Sequence, residues 1–224
     1  MKFAIVSLLV LGACVGDSDP RWQLDHDHVV AVRASPPHLA SGARATLDAL
    51  VAHAGAPTSV DAPVEVRTDD GMLGSTIQAD GTVLAPDLAT LAQVRAARGL
   101  AADAPVPLRL ITTFGADAKV ATKTIYLGDT GGNPAMPTPT LEGAALGEEP
   151  ITVPAATDVA LAIAVDPTWE VAWLSSCGTL HDDDLPDAVL RVEPDDPQAG
   201  ELAVVVRDGH GGVAWQVWPI ATAP

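Results

Sequence analysis

Positive charge is scarce in this chain of 224 residues: 12 Lys and Arg stand against 29 Asp and Glu, a formal net charge of −17. A nucleic-acid surface needs clustered Lys and Arg to meet phosphate, and electrostatic docking on anionic lipid needs the same, so both are excluded as principal partners. Cysteine is nearly absent. Cys14 and Cys177 are the two in the chain, too few for a disulfide scaffold. Aromatic residues make up 4% and charged residues 18%. There is no phosphate loop and no dinucleotide fingerprint, because the glycines of Gly209 to Gly212 open a strand and not a helix. Ser175-Ser176 lacks the Gly-x-Ser-x-Gly elbow of a hydrolase. The apolar and small-residue run Phe3 to Ala13 falls short of the roughly 20 residues that cross a bilayer.

Apolar residues make up 48%, enough for a core, and 19 Gly with 19 Pro point to many turns between short strands. At the N-terminus, Lys2 precedes the short apolar run in the order of a secretory signal. The run ends Leu11-Gly12-Ala13-Cys14, which resembles the lipobox of bacterial lipoproteins. That resemblance implies a signal peptide over 1–13, lipidation (palmitate included) of Cys14, and a tether over 14–21. It also implies an exported protein held to the cell envelope. Val15, in place of an Asp after the Cys, points to the outer membrane over the inner. With Cys14 acylated, Cys177 has no partner within the chain.

The body alternates in strands. Leu202, Val204 and Val206 share one face; Asp208-Gly209-His210-Gly211-Gly212 supplies a turn; Val213, Trp215 and Val217 share a face of the next strand. Val159 to Val165, Trp169 to Trp173 and Ala188 to Val192 are further strands. In the first half, Thr46 to His53, Val64 to Arg67, Val106 to Phe114 and Val120 to Tyr126 read alike. One helix is predicted over 86–98, with Pro86 at its first position, Leu88, Leu91 and Val94 as its stripe, and Gly99 closing it. Val64 to Leu73 aligns without a gap on Val171 to Leu180, and each is followed by a short strand ending in Pro and then a hairpin. Between the copies, 129–140 is rich in Gly and Pro and reads as a linker.

Val171-Ala172-Trp173 with Gly178-Thr179-Leu180, then Gly200 through Gly209, looks like the C, E, F and G strands of bacterial immunoglobulin-like domains. Gly81 to Pro86 resembles their Gly-x-x-x-Ala-Pro turn. The resemblance implies an all-β chain: two tandem immunoglobulin-like β-sandwich domains, 22–128 and 141–224, with one short helix in the first. Trp173 is the implied buried Trp of strand C, while Leu161 and Val204 stand where antibody domains carry a disulfide, and Val66 replaces the Trp in the first copy.

Several groups could carry chemistry. His26 and His28, within Asp25-His26-Asp27-His28, share a face of an extended segment and suit Zn²⁺ or Cu²⁺, though no third ligand is close in sequence. His181-Asp182-Asp183-Asp184, with Glu193, Asp195 and Asp196 a strand away, offers oxygen ligands for Ca²⁺ without the EF-hand spacing. Cys177 with His181 four residues on is a conceivable thiol pair, and otherwise a loop thiol. Of the Trp residues, the alternation places Trp169, Trp173 and Trp215 on faces shared with Val, and leaves Trp218 as the exposed candidate platform. Truncating Trp173 is accordingly expected to cost more than twice as much as truncating Trp218, and 141–224 is expected to hold a core of its own. The resulting expectation is a non-enzymatic, lipid-anchored cell-envelope protein acting as a binding or structural module. It needs no cofactor, is held to the membrane through its N-terminal lipid, and has a protein or polysaccharide partner and none in nucleic acid. The alternatives are a metal-binding (Ca or Zn) envelope protein and a thiol-dependent enzyme.

Overall fold

The computed structural model describes Pro20 and residues 22–223. The expected signal peptide over 1–13, the expected lipidation site Cys14 and nearly all of the expected tether over 14–21 lie outside the described residues. Two β-sandwiches follow one another.

The first comprises β1 (His28–Ser35), β2 (His38–Leu39), β3 (Arg44–His53), β4 (Ala56–Asp61), β5 (Glu65–Arg67), β6 (Val83–Leu84), α1 (Leu88–Arg98), β7 (Val106–Phe114) and β8 (Lys119–Leu127). The second comprises β9 (Thr140–Leu141), β10 (Ala144–Ala145), β11 (Ile151–Val153), β12 (Val159–Ala162), β13 (Glu170–Ser175), β14 (Thr179–His181), β15 (Asp187–Arg191), β16 (Ala199–Arg207) and β17 (Val213–Thr222).

In the second sandwich one sheet runs β10-β9-β12-β15-β14 and the other β11-β17-β16-β13. With β9, β12, β15 and β14 as strands A, B, E and D, and β13, β16 and β17 as C, F and G, this is the immunoglobulin arrangement of ABED against CFG. The first strand divides between the sheets, since β11 pairs in parallel with β17. The first sandwich repeats the CFG sheet as β2-β8-β7-β5, with β2 parallel to β8. Its other sheet departs from the plan. β4 and β6 both pair with β3, β4 at Ala49 to His53 and β6 at Arg44 and Ala45, so two short strands divide the edge that E occupies in the second copy. The aligned segments do take equivalent places: β5 pairs with β7 as β13 pairs with β16. Val66 faces the first core where Trp173 faces the second.

The helix starts at Leu88, two residues later than the sequence predicts. Asp87, not Pro86, shapes the start: it is the N-cap, and its carboxylate accepts the amide of Thr90 at 2.7 Å. Leu88 is exposed, so the packed stripe is Leu91 and Val94. Gly99 closes the helix in the left-handed conformation at φ 65°.

Each sandwich has its own core, but a third apolar cluster joins them. Leu24, Ala31, Leu50, Ala52, Leu174, Ala203, Val205 and Val213 are buried together, with Val30, Ala172, Trp215 and Val217 packed at their margin. The outer face of β1 and β3 thus lies on the outer face of β13, β16 and β17. A bulge at Val30, where the pairing of β1 with β3 shifts, places Val30 and Ala31 together on this side.

Three expectations change here. Trp22 to Leu24 do not belong to the first sandwich: Leu24 N donates to the Ser175 carbonyl and Ser175 N to that of Trp22, which adds a parallel edge segment to β13. Residues 129–140 are pinned on both sides. The Asn133 amide donates to the Ala34 carbonyl at 2.8 Å and accepts from Val213 N at 3.0 Å, and Thr140 already opens β9. The faces of β17 are reversed: Trp218 is 1% exposed, sits in the second core and donates its indole N–H to the Gly147 carbonyl at 2.6 Å. Trp215 lies at the third cluster under the Arg33 guanidinium, 4.1 Å from its ring centre. Val213, Trp215 and Val217 do share a face, but that face meets the first sandwich.

Trp173→Ala and Trp218→Ala are therefore expected to cost about 3–5 kcal/mol each, and Trp215→Ala about 1–2 kcal/mol, measured by chemical denaturation. The fragment 141–224 keeps the second core yet exposes Leu174, Ala203, Val205, Val213 and Trp215. It is expected to fold cooperatively and to self-associate in sedimentation. A monomeric fragment as stable as the whole chain would show that the shared cluster contributes nothing.

Candidate functional site

The joint between the sandwiches leaves two adjoining cavities. The first, about 430 Å³, is walled by β1, β8 and the β16–β17 turn. The second, about 640 Å³, runs along β13 and includes Trp169, His28, Asp183 and Asp184. They share Val29, Val30, Glu170 and Arg207 as walls. Volumes of this order are typical of small-molecule sites.

Lys123 is the unusual wall residue. On β8 it pairs with Leu110, whose side chain is in the first core, and it stands between inward-facing Ala121 and Ile125. It is 7% exposed, and its ammonium donates to the Gly211 carbonyl across the joint. Arg207, the last residue of β16, donates to the Val30 carbonyl at 3.2 Å. Among the described residues neither cation has a carboxylate within ion-pair distance. Burial pulls the Lys123 pKa down to about 8; Asp208 opposes this and Arg207 adds to it. Burial likewise lowers Arg207, against the attraction of Glu170.

The same turn makes a further contact. The His38 ring, stacked on Tyr126 at 5.1 Å, reaches the Asp129 carboxylate at 2.9 Å and the His210 carbonyl at 2.7 Å. The Asp129 carboxyl is held below its usual range by the Thr130 amide first and by His38 second. Gly211 must be glycine: its φ is +91°, and a Cβ there would crowd the Thr124 carbonyl and the Tyr126 ring.

The residues singled out from sequence are placed differently. His26 and His28 stack ring on ring at 4.3 Å, and His28 Nδ1 lies 3.0 Å from the His26 carbonyl. Burial lowers the His28 pKa. Among the described residues no three His, Cys, Asp or Glu gather as a metal cluster. His181 ends β14, and the Asp183 carbonyl accepts Trp173 N at 2.7 Å. Of the other acids, Glu193 takes the Arg191 guanidinium, and Asp196 caps the Glu193 amide at 2.8 Å. Cys177 lies in the loop between β13 and β14, and its thiol is turned into the second core, 2% exposed. Burial pushes its pKa up, which suppresses the nucleophilic thiolate. Gly178 beside it takes φ +72°, and a Cβ there would overlap the Arg191 carbonyl.

One cluster was not flagged in the sequence. His53 Nε2 lies 2.7 Å from the Ser59 hydroxyl, and His53 Nδ1 3.6 Å from the Asp27 carboxylate. The Ser59 hydroxyl donates to Asp61 at 2.8 Å, so His53 donates to Ser59 and is not placed to take its proton. The arrangement ties the β3–β4 hairpin and lacks the polarity of a nucleophile with its base.

No family model matches this chain, and no curated protein does. Among solved structures, a nucleoside hydrolase-related hypothetical protein from Saccharophagus degradans superposes with TM-score 0.33 at 14% identity, over 41% of this chain. The chain spans 26% of that protein's length. The tandem Ig repeats of Dlar superpose with TM-score 0.29 at 10% identity, over 86% of this chain and 97% of that one. Fibronectin(III)-like modules of Clostridium thermocellum CbhA give 0.28 at 13%, over 86% and 94%. The fold assignment rests on the strand topology, to which likenesses this distant add nothing.

The lysine makes stability depend on pH in a defined direction. The folded protein releases the Lys123 proton near pH 8, whereas the unfolded chain keeps it to the ordinary 10.5. Between these values the unfolded state binds more protons, so stability rises with pH. Below pH 8 both states are protonated and the penalty of burial is fully present. Denaturation midpoints of the wild type are expected to gain on those of Lys123→Met between pH 8 and 10.5, and parallel pH curves would place the ammonium in solvent.

Proposed function

We propose that this chain is a lipid-anchored, non-enzymatic module of the bacterial cell envelope that binds or scaffolds at the outer membrane. The observation that carries the reading is Leu11-Gly12-Ala13-Cys14 at the end of a short apolar run behind Lys2. Acyl chains on Cys14 each contribute about 0.8 kcal/mol of anchoring per buried CH₂, and more than one chain makes attachment stable.

The arrangement of the body supports this reading. The segment Trp22 to Leu24 is hydrogen-bonded to β13, so the chain leaves the folded body from the edge of the second sandwich. The eight steps from Cys14 to Trp22 reach at most about 28 Å, which keeps the body close to the bilayer. The third apolar cluster joins the sandwiches into one unit, suited to presenting a fixed surface. The buried, raised thiol of Cys177 and the donor role of His53 toward Ser59 speak against nucleophilic catalysis. The excess of acid favours a partner that is not polyanionic.

Expressed in a bacterial host with lipoprotein processing, the wild type is expected to take up labelled palmitate and to fractionate with the outer membrane. Cys14→Ser is expected to abolish labelling and to leave the precursor uncleaved by the lipoprotein signal peptidase. Absence of label on the wild type overturns the lipid-anchored reading.

A further inference from the structure

We propose that the cleft between the sandwiches, at Lys123 and Arg207, binds a small organic monocarboxylate. The argument begins with what the two cations lack. In a chain with 29 acidic and 12 basic residues, carboxylates outnumber cations by more than two to one. Yet among the described residues these two cations line one cavity without an ion-pair partner. Lys123 is buried and Arg207 partly so, and taking a cation out of water without a close ion-pair partner opposes folding. A neutral core residue would fit the inward position on β8 between Ala121 and Ile125 at no such cost.

The donors are also underused. An ammonium has three N–H groups and a guanidinium five. Lys123 gives one to the Gly211 carbonyl and Arg207 one to the Val30 carbonyl. Both acceptors are neutral backbone groups from the opposite sandwich, so the pair is held in place by the joint with most of its N–H groups still to spare.

Charge balance selects the ligand. Glu170 lines the same cavity and offsets one of the two positive charges. Asp208 acts on Lys123 from the turn, where one of its oxygens already accepts the amides of His210 and Gly212, both at 2.8 Å. With both acids set against both cations the cleft has no surplus charge for a dianion such as phosphate, and a single carboxylate held by the unused N–H groups suits it better. A carboxylate also matches the fork of Arg207. The wall also includes Val29, Val32, Val213 and Tyr126, and about 430 Å³ admits a body the size of one sugar ring or one aliphatic residue. Two sources share this chemistry: a uronic acid and the terminal carboxylate of a peptide.

Calorimetric titration of the full-length protein separates them. The probes are D-glucuronate and N-acetyl-L-valine, each against its neutral counterpart, D-glucose and N-acetyl-L-valinamide, with inorganic phosphate as a fifth ligand. At least one carboxylate is expected to bind about tenfold or more tightly than its neutral counterpart and than phosphate, and the one that does identifies the source. Lys123→Met and Arg207→Gln are each expected to lower that affinity about tenfold. Lys123→Met removes a buried charge and is expected to be at least as stable as the wild type, so its loss of binding is not a loss of fold. Cys14→Ser protein is expected to bind unchanged, which separates this site from the anchoring reading. The proposal fails if neither carboxylate outbinds its neutral counterpart, if phosphate outbinds both, or if Lys123→Met binds as the wild type does.

Discussion

Strand β16 is apolar on both faces, and the two faces serve different cores. Leu202, Val204 and Val206 point into the second sandwich, while Ala203 and Val205 point at the first. β3 does the same from the other side, with Leu47, Ala49 and Val51 inward and Leu50 and Ala52 outward. An immunoglobulin-like sheet normally presents its outer face to water. Here one outer face from each sandwich is removed from water by the other, and the hydrophobic gain scales with the apolar area covered. Where the two sheets approach each other, the joint combines Ala31, Ala52, Ala203, Val205 and Val213 with the larger Leu24, Leu50 and Leu174.

The other features of the molecule depend on that approach. Because the sheets meet face to face, the β16–β17 turn is carried over β8, where Gly211 fits beneath Tyr126 and its carbonyl receives Lys123. Asn133 becomes a two-sided clamp, since one side-chain amide satisfies a carbonyl of β1 and an N–H of β17. The segment between the sandwiches is then part of the joint. Glu201 accepts the Thr58 amide at 2.7 Å, which adds a polar contact from β4 to β16. The clefts lie where residues of both sandwiches line one space, with Val29, Val30, Glu170 and Arg207 common to the two. Any ligand there contacts both sandwiches, so binding and the rigidity of the joint are coupled.

Much of the local structure is legible in the residues. Period-two alternation locates β7, β8, β16 and β17; Gly99 marks the end of the helix; and the gapless alignment of Val64–Leu73 on Val171–Leu180 marks the equivalent C strands. The signal for the shared joint was also present, in the unbroken runs Ala49-Leu50-Val51-Ala52 and Leu202-Ala203-Val204-Val205-Val206. A strand without a polar face is a strand covered on both sides. A reading that follows one face of such a run finds one core and passes over the other. The same oversight turned Trp218 outward: in β17 the apolar residues lie on both faces, and alternation alone does not say which face is which core.

Composition, charge sign and strand periodicity were decided by the chain alone: an acidic all-β protein with two related halves, whose N-terminal run ending at Cys14 resembles a lipobox. Which faces meet, how Trp22 to Leu24 cross to the second sandwich, and why Lys123 is buried opposite Arg207 belong to the tertiary structure. These depend on contacts between residues as far apart in the chain as Lys123 and Gly211, or Val30 and Arg207. No local pattern specifies such pairs, because each is set by where two separately folded sheets come to rest against one another.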